Sequence, residues 1–139
     1  MENKAKEHGR MDKIKALGIG VALIFVIGGL AQYFLPWWWI IVPVAALVGY
    51  FLGQTAGQSY AYGFIAVLLL WSIMAGYLSN ANGGVLSGRI ADLLGNGKIS
   101  GLQLIFLTGI IGGILGGFGA MTGAMLKDLL RKEHVHIAG

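Results

Sequence analysis

The distribution of charge constrains this chain more than any other feature. Residues 16–78, and again residues 100–126, contain no Asp, Glu, Lys, Arg or His. The chain has 139 residues, of which 56% are hydrophobic and 12% charged, whereas soluble domains are about 25% charged. A soluble fold of this size could not hide so much apolar surface. A bilayer can, because a helix of about 20 apolar residues crosses its hydrocarbon core of about 30 Å. Nearly the whole chain is used in this way, which leaves no room for a separate soluble catalytic domain.

The uncharged runs subdivide into an all-α bundle of four transmembrane helices. The first covers residues 16–35 and follows a basic tail, residues 1–15; its core is too long for a cleaved signal peptide and reads as an anchor. Pro36 interrupts the run, and Trp37, Trp38 and Trp39 follow it as interfacial anchors, because amphipathic indole rings favour the head-group layer. The second helix is expected over residues 36–57, with Pro43 either kinking it or marking its true start. A short polar turn leads to the third helix, residues 60–78. Here Tyr60, Tyr62 and Tyr77 read as further interfacial anchors, whereas Trp71, near the middle, reads as packed against a neighbour.

Residues 79–100 change character. In SNANGGVLSGRIADLLGNGKIS, Leu86, Ile90, Leu93 and Leu94 recur at helical spacing while Ser87, Arg89 and Asp92 point elsewhere. This pattern predicts a short amphipathic helix lying on the membrane surface between helices three and four. Asn82 is its expected cap, the run Gly95, Asn96, Gly97 its expected end, and Arg89 with Asp92 its expected surface ion pair. The fourth helix covers residues 101–126, and residues 127–139 form a C-terminal tail.

Orientation follows from Lys and Arg. Lys4, Lys6, Arg10, Lys13 and Lys15 precede the first helix, and Lys127, Arg131 and Lys132 follow the last. Only Arg89 and Lys98 lie between helices. Four spans with both termini cytoplasmic put the larger group inside, as the positive-inside rule requires. The predicted location is a cell membrane, in multi-pass form. The net charge of +4 is then explained by anionic lipid head groups at the basic tails rather than by nucleic acid.

The sharpest pattern lies in the fourth helix. At about 100° per residue, Gly109, Gly112, Gly113, Gly116, Gly117, Gly119, Ala120, Gly123 and Ala124 fall within an arc of roughly 160°. Ile110, Ile111, Ile114, Leu115, Phe118, Met121 and Met125 fill the opposite side. The second helix repeats the theme more narrowly with Ala45, Gly49, Gly53 and Gly57. A helical Gly costs about 1 kcal/mol relative to Ala, so such density implies that close backbone approach is being exploited. Gly49, Gly53, Gly57, Gly109, Gly112, Gly113, Gly116 and Gly117 are accordingly the expected helix-packing residues. The wide face suits contact inside the bundle, and also exceeds what one partner helix needs, which leaves room for a second copy of the chain or another membrane subunit.

Chemistry is sparse. Intramembrane ionisable groups, the usual mark of pumps and coupled transporters, are missing from the uncharged runs. Without Cys there is no thiolate nucleophile or disulfide. His134 and His136 near Glu133 lack a third metal ligand and read as a solvated tail. The glycines of helix four lack the strand and Lys of a phosphate loop. The expectation is a non-enzyme without cofactor or metal, and Thr108 and Thr122 are expected to satisfy their hydroxyls on their own helix.

The segment PVAALVGYFLGQTAGQSYAYGFIAVLL, with MAGYLS and the glycine-rich fourth helix after it, resembles the small four-span membrane proteins of unknown function that are abundant in archaea. That resemblance implies a topology and no mechanism. The four-helix fluoride channels are similar in size, but their polar helix-break motifs are missing from this chain. The expected role is a glycine-zipper-packed oligomer or an accessory subunit of a membrane complex. The alternatives are a passive oligomeric channel for a small neutral molecule or ion, and a holin-like membrane-disrupting protein.

Overall fold

The computed structural model describes residues 2–52, 54–96 and 98–137; for Glu2, Asn3, Ala5, Val135 and His136 it describes the backbone alone. Five α-helices account for most of these residues: α1 (Glu2–Phe34), α2 (Ile41–Leu52), α3 (Ala56–Ala81), α4 (Val85–Gly95) and α5 (Gly101–Ile137). A 3₁₀ turn, Trp38–Ile40, precedes α2, and no strand occurs among the described residues. Three segments are long and apolar enough to cross a membrane: Lys6–Phe34, Ala56–Ala81 and Gly101–His134. The apolar segment Trp38–Leu52 is shorter.

The second helix is therefore not the run over residues 36–57 read from the sequence. Pro36 and Trp37 are extended or irregular, and α2 starts at Ile41 with Pro43 in its first turn. A Pro is tolerated there because the first four amides of a helix have no intrahelical acceptor. Pro43 thus marks the true start of the helix. Gln54 and Thr55 separate α2 from α3, which places Gly57 in the first turn of α3 rather than at the end of α2. At 1.5 Å per residue α2 is about 18 Å long, short of a hydrocarbon core of about 30 Å.

The helix axes alternate in direction. Gly20 and Gly29 of α1 meet Tyr62 and Leu70 of α3 in the same order, so these helices run parallel. Gly109, Gly113 and Gly117 meet Leu68, Phe64 and Tyr60 in reverse order, so α5 runs antiparallel to α3. Gly119 and Gly123 meet Val42 and Ala46 in register, and α2 follows α5. Going around the bundle, the order is α1, α2, α5, α3, with α1 and α5 at opposite corners. The basic N-terminal end of α1 and the basic C-terminal end of α5 consequently emerge from the same end of the bundle. The N-terminal tail, read as separate from the first helix, is a helical continuation of α1, and α5 runs on to Ile137.

The centre is filled by Ile24, Ile41, Ala45, Val48, Tyr62, Ala66, Val67, Leu70 and Ala120. Tyr62 corrects an expectation. It is fully buried rather than interfacial, with its ring over Gly20 and its hydroxyl donating to Ser59 Oγ at 3.1 Å. The bare Cα of Gly20 makes room for the ring, since a Cβ would lie 2.6 Å from Tyr62 Cγ.

The amphipathic helix predicted between helices three and four is present as α4. Its cap is Gly84 in the left-handed conformation, not Asn82; the Asn82 amide instead donates to Leu78 O at 3.1 Å and closes α3. Asn96, with φ 50°, ends α4, and Gly97 lies outside the described residues. Leu86, Leu93 and Leu94 are exposed, while Ser87 turns inward and its hydroxyl shares a hydrogen bond of 2.7 Å with Ser79. Arg89 and Asp92 are both exposed and, among the described residues, form no ion pair with each other. Exposed pairs gain little because water solvates each partner.

Candidate functional site

The glycine face of α5 is the densest feature of the sequence, and the structure divides it between two helices of the same chain. Gly109, Gly112, Gly113, Gly116 and Gly117 face α3, Gly119 and Gly123 face α2, and Ala120 touches both. Backbone meets backbone at several of these points. A Cβ on Gly113 would lie 3.0 Å from Phe64 O, and one on Gly119 would lie 2.8 Å from Val42 O. On Gly123 it would collide with the carbonyl oxygen of Ala46, and on Gly49 with that of Ala120. Aromatic rings use the remaining space: Trp71 lies across Gly112, as its central position suggested, and Tyr60 lies across Gly117.

Of the other residues read as packing positions, Gly57 is exposed, and a Cβ there would meet nothing within 4 Å. Its eight-residue spacing from Gly49 has no meaning once the helix ends at Leu52. Gly53 lies outside the described residues. Three packing glycines escaped the sequence reading, Gly20 and Gly28 on α1 and Gly63 on α3, while Gly119 and Gly123 on α5 were placed on the glycine face without being singled out as contact residues. Gly20, Ile24 and Gly28 are buried at four-residue spacing, a signal present in the sequence but diluted by other small residues in the same run.

The neutral polar groups of the last helix are largely satisfied at home. Thr108 Oγ1 donates to Leu104 O at 2.9 Å, and Thr122 Oγ1 to Phe118 O at 2.8 Å, as expected of helical Thr. Ser100 and Gln103 form a reciprocal capping box: Ser100 N donates to Gln103 Oε1 at 2.8 Å and Gln103 N to Ser100 Oγ at 3.3 Å. Ser72 Oγ is buried without a hydrogen-bond partner. It fills the position a Cβ on Gly109 would take, so it faces a Cα–H group, a weak donor. At the other end of α5, Lys127 Nζ donates to Phe51 O at 3.2 Å. A cation there complements the partial negative charge at the C-terminus of α2.

Trp37, Trp38 and Trp39 are all exposed, and the rings of Trp37 and Trp39 stack with centroids 5.5 Å apart. Among the described residues no three His, Cys, Asp or Glu side chains gather as a metal site. His134 is exposed near the end of α5, and the side chain of His136 lies outside the described residues.

The fold and the site together are those of an all-helical chain with apolar helices compatible with a membrane and no evident catalytic constellation. Comparisons with protein-family models, with curated proteins and with solved structures find no match to this chain.

Proposed function

We propose that this chain is a multi-pass membrane protein of structural or accessory role, a glycine-packed bundle that serves as a subunit of a larger membrane complex. The observation that carries the reading is the division of the α5 glycine face between α2 and α3. A face wide enough for a second copy is used up inside one chain, which leaves the apolar residues Ile110, Ile114 and Phe118 for lipid or another subunit. Self-association through the glycines of α5 is correspondingly disfavoured. The passive-channel alternative has no specific observation in its favour: its lumen would lie between chains, since Ile24, Ile41, Tyr62 and Val67 fill the axis of a single bundle.

In this reading α2, with its 3₁₀ turn, completes a fourth crossing, and both termini face the cytoplasm. Supporting it, the charged ends of α1 and α5 leave the same end of the bundle, where eight of the ten Lys and Arg residues are found. The basic side chains would then touch anionic lipid head groups.

Two measurements test the proposal. The chain has no native Cys, so single Cys residues at Lys4, Asp92 and Glu133 can be labelled with an impermeant maleimide in sealed vesicles. Labelling of the first and third from one side and of the second from the other is expected; Lys4 and Glu133 on opposite sides would remove the four-span topology. Native mass spectrometry of gently extracted complexes should find a constant foreign subunit. A pure homo-oligomer held together by α5 would overturn the accessory reading.

A further inference from the structure

At one end of the bundle two helices outrun the other two. Gly20 of α1 lies level with Tyr62 of α3, so Ile14 stands level with Ala56, the first residue of α3. Residues 2–13 of α1 therefore rise about 18 Å beyond that helix. Gly123 of α5 lies level with Ala46 of α2, so residues 130–137 of α5 rise about 12 Å beyond Leu52, where α2 ends. The two projecting helices stand at opposite corners and, among the described residues, do not touch. Between them lies the α2–α3 turn, whose Gln54 and Thr55 are uncharged.

The phase of each helix decides what faces that space. At about 100° per residue, Lys6, Arg10 and Lys13 share an arc of about 80° with Leu17, Gly20, Ile24 and Gly28, the packed side of α1. On α5, Lys127, Arg131 and His134 share an arc of about 80° with Gly113, Gly116, Ala120 and Ala124, the side that meets both α2 and α3. The two basic stripes therefore face each other across the bundle axis. Among the described side chains the carboxylates lie elsewhere: Glu7, Asp12, Asp128 and Glu133 fall about 60° or more from the nearest basic member of the stripe on their helix. Arg10, Lys13 and Arg131 make no hydrogen bond or ion pair among the described residues. Lys127 Nζ uses one of its three donors on Phe51 O. Like charges gathered around one space repel each other, and an anion between them turns that repulsion into attraction.

The position of the stripes selects among anions. Head groups form a layer of about 5–8 Å outside the hydrocarbon. Counted from the ends of the uncharged runs at Ala16 and Leu126, Arg10 and His134 stand about 9–12 Å out, and they face the bundle axis rather than the surrounding lipid. From Lys127 to His134 the stripe extends about 10 Å, which is the length of about three residues of extended chain and more than a single phosphate covers. We propose that an acidic segment of the foreign subunit, carrying several Asp or Glu side chains, enters between the two projections. It pairs with Arg10 and Lys13 on one side and with Lys127, Arg131 and His134 on the other, the two guanidinium groups each holding a carboxylate through two parallel hydrogen bonds. The inference rests on the accessory-subunit reading above and adds the chemistry of the contact. Lys4, Lys15 and Lys132, about 100° or more away from the stripes, remain for lipid head groups.

The test uses the full chain in phosphatidylcholine nanodiscs and a fluorescein-tagged glutamate peptide, followed by anisotropy. Saturable binding that weakens with salt is expected. Arg10→Gln combined with Arg131→Gln should lower the affinity roughly tenfold, whereas Lys15→Gln combined with Lys132→Gln, outside the stripes, should leave it unchanged. All four positions are exposed, so neither pair disturbs the core. Equal losses in the two pairs would mean general surface charge, tighter binding of inorganic tripolyphosphate would mean a soluble phosphate, and loss of peptide binding on adding phosphatidylglycerol to the disc would mean lipid. Each of these overturns the proposal, as does a peptide that does not bind. In the native complex, carbodiimide joins an amine directly to a carboxylate, and Lys13 or Lys127 should be linked to Asp or Glu of the foreign subunit. A foreign subunit that is present but linked only through Lys15 or Lys132, or not linked, overturns this inference and leaves the accessory reading standing; a homo-oligomer without a foreign subunit removes both.

Discussion

Replacing Gly123 by Ala adds one methyl group where the backbones of α2 and α5 come closest. The new Cβ would collide with the carbonyl oxygen of Ala46 and lie 2.9 Å from Ala46 Cα, inside the 3.4 Å at which ordinary contact begins. Those atoms belong to a helix backbone, so no rotamer change relieves the overlap. Instead α2 must move outward along its contact with Gly119, Ala120 and Gly123. A gap of about 0.5–1 Å forfeits a quarter to a half of the dispersion attraction across it, and forced overpacking of this kind costs about 1–3 kcal/mol. Against that, Ala is favoured over Gly in a helix by about 1 kcal/mol. The net expectation is a loss of up to about 2 kcal/mol. It can be read from reversible unfolding of the purified protein in mixed nonionic and dodecyl sulfate micelles, followed by circular dichroism. Gly76→Ala is the control: a Cβ there meets nothing within 4 Å, and the helix preference alone should raise stability by up to about 1 kcal/mol. If Gly123→Ala and Gly76→Ala shift stability alike, close approach of α2 and α5 is not what the glycines provide.

Three further outcomes can be checked with the same preparation. Tyr62→Phe keeps the ring over Gly20 but orphans Ser59 Oγ, and should cost about 1 kcal/mol; Tyr62→Ala should cost about 3–5 kcal/mol, whereas Tyr77→Ala, at an exposed position, should cost far less. Lys127→Met removes the ammonium from Phe51 O, and hydrogen exchange should speed up in the last turn of α2 without a change in α3. Ser100→Ala breaks the capping box with Gln103 and should fray the first turn of α5, with a stability loss of about 1 kcal/mol; unchanged exchange at residues 101–104 would speak against the cap.

Some of this architecture could be read without coordinates because its physical cause is local. The absence of charge over residues 16–78 and 100–126 decides the helical class. The spacing of Leu86, Ile90, Leu93 and Leu94 anticipated α4 and its end near Asn96, though the cap is Gly84, two residues past Asn82. The back-bonding of Thr108 and Thr122 depends only on the turn that precedes each of them. Trp71 was legible as a packed side chain because an indole in the middle of an apolar run needs a neighbour.

Other features were not legible, and each depends on what lies opposite. Nothing in the local sequence separates Tyr62, over Gly20, from Tyr77, which is exposed; both are tyrosines in one apolar helix. Gly49 and Gly57 look equivalent at four-residue multiples, yet a Cβ on the first would strike Ala120 and on the second would meet open space. The end of α2 at Leu52 separates them. The capping role of Ser100 and Gln103 was within reach of the sequence, since the residues stand at the required spacing, but their position at an expected membrane interface offered a competing explanation.

By itself the sequence determined the class of the elements: long uncharged apolar runs fold as helices compatible with a membrane, and where glycines line one face of a helix the backbone there is open to a close neighbour. Only the tertiary structure decided which neighbour that is. The α5 face is shared between α2 and α3 because their directions and levels bring Val42, Ala46, Phe64 and Leu68 against it. A glycine has no side chain with which to specify a partner. It permits contact, and the choice of contact belongs to the shapes of the helices that the rest of the fold brings alongside.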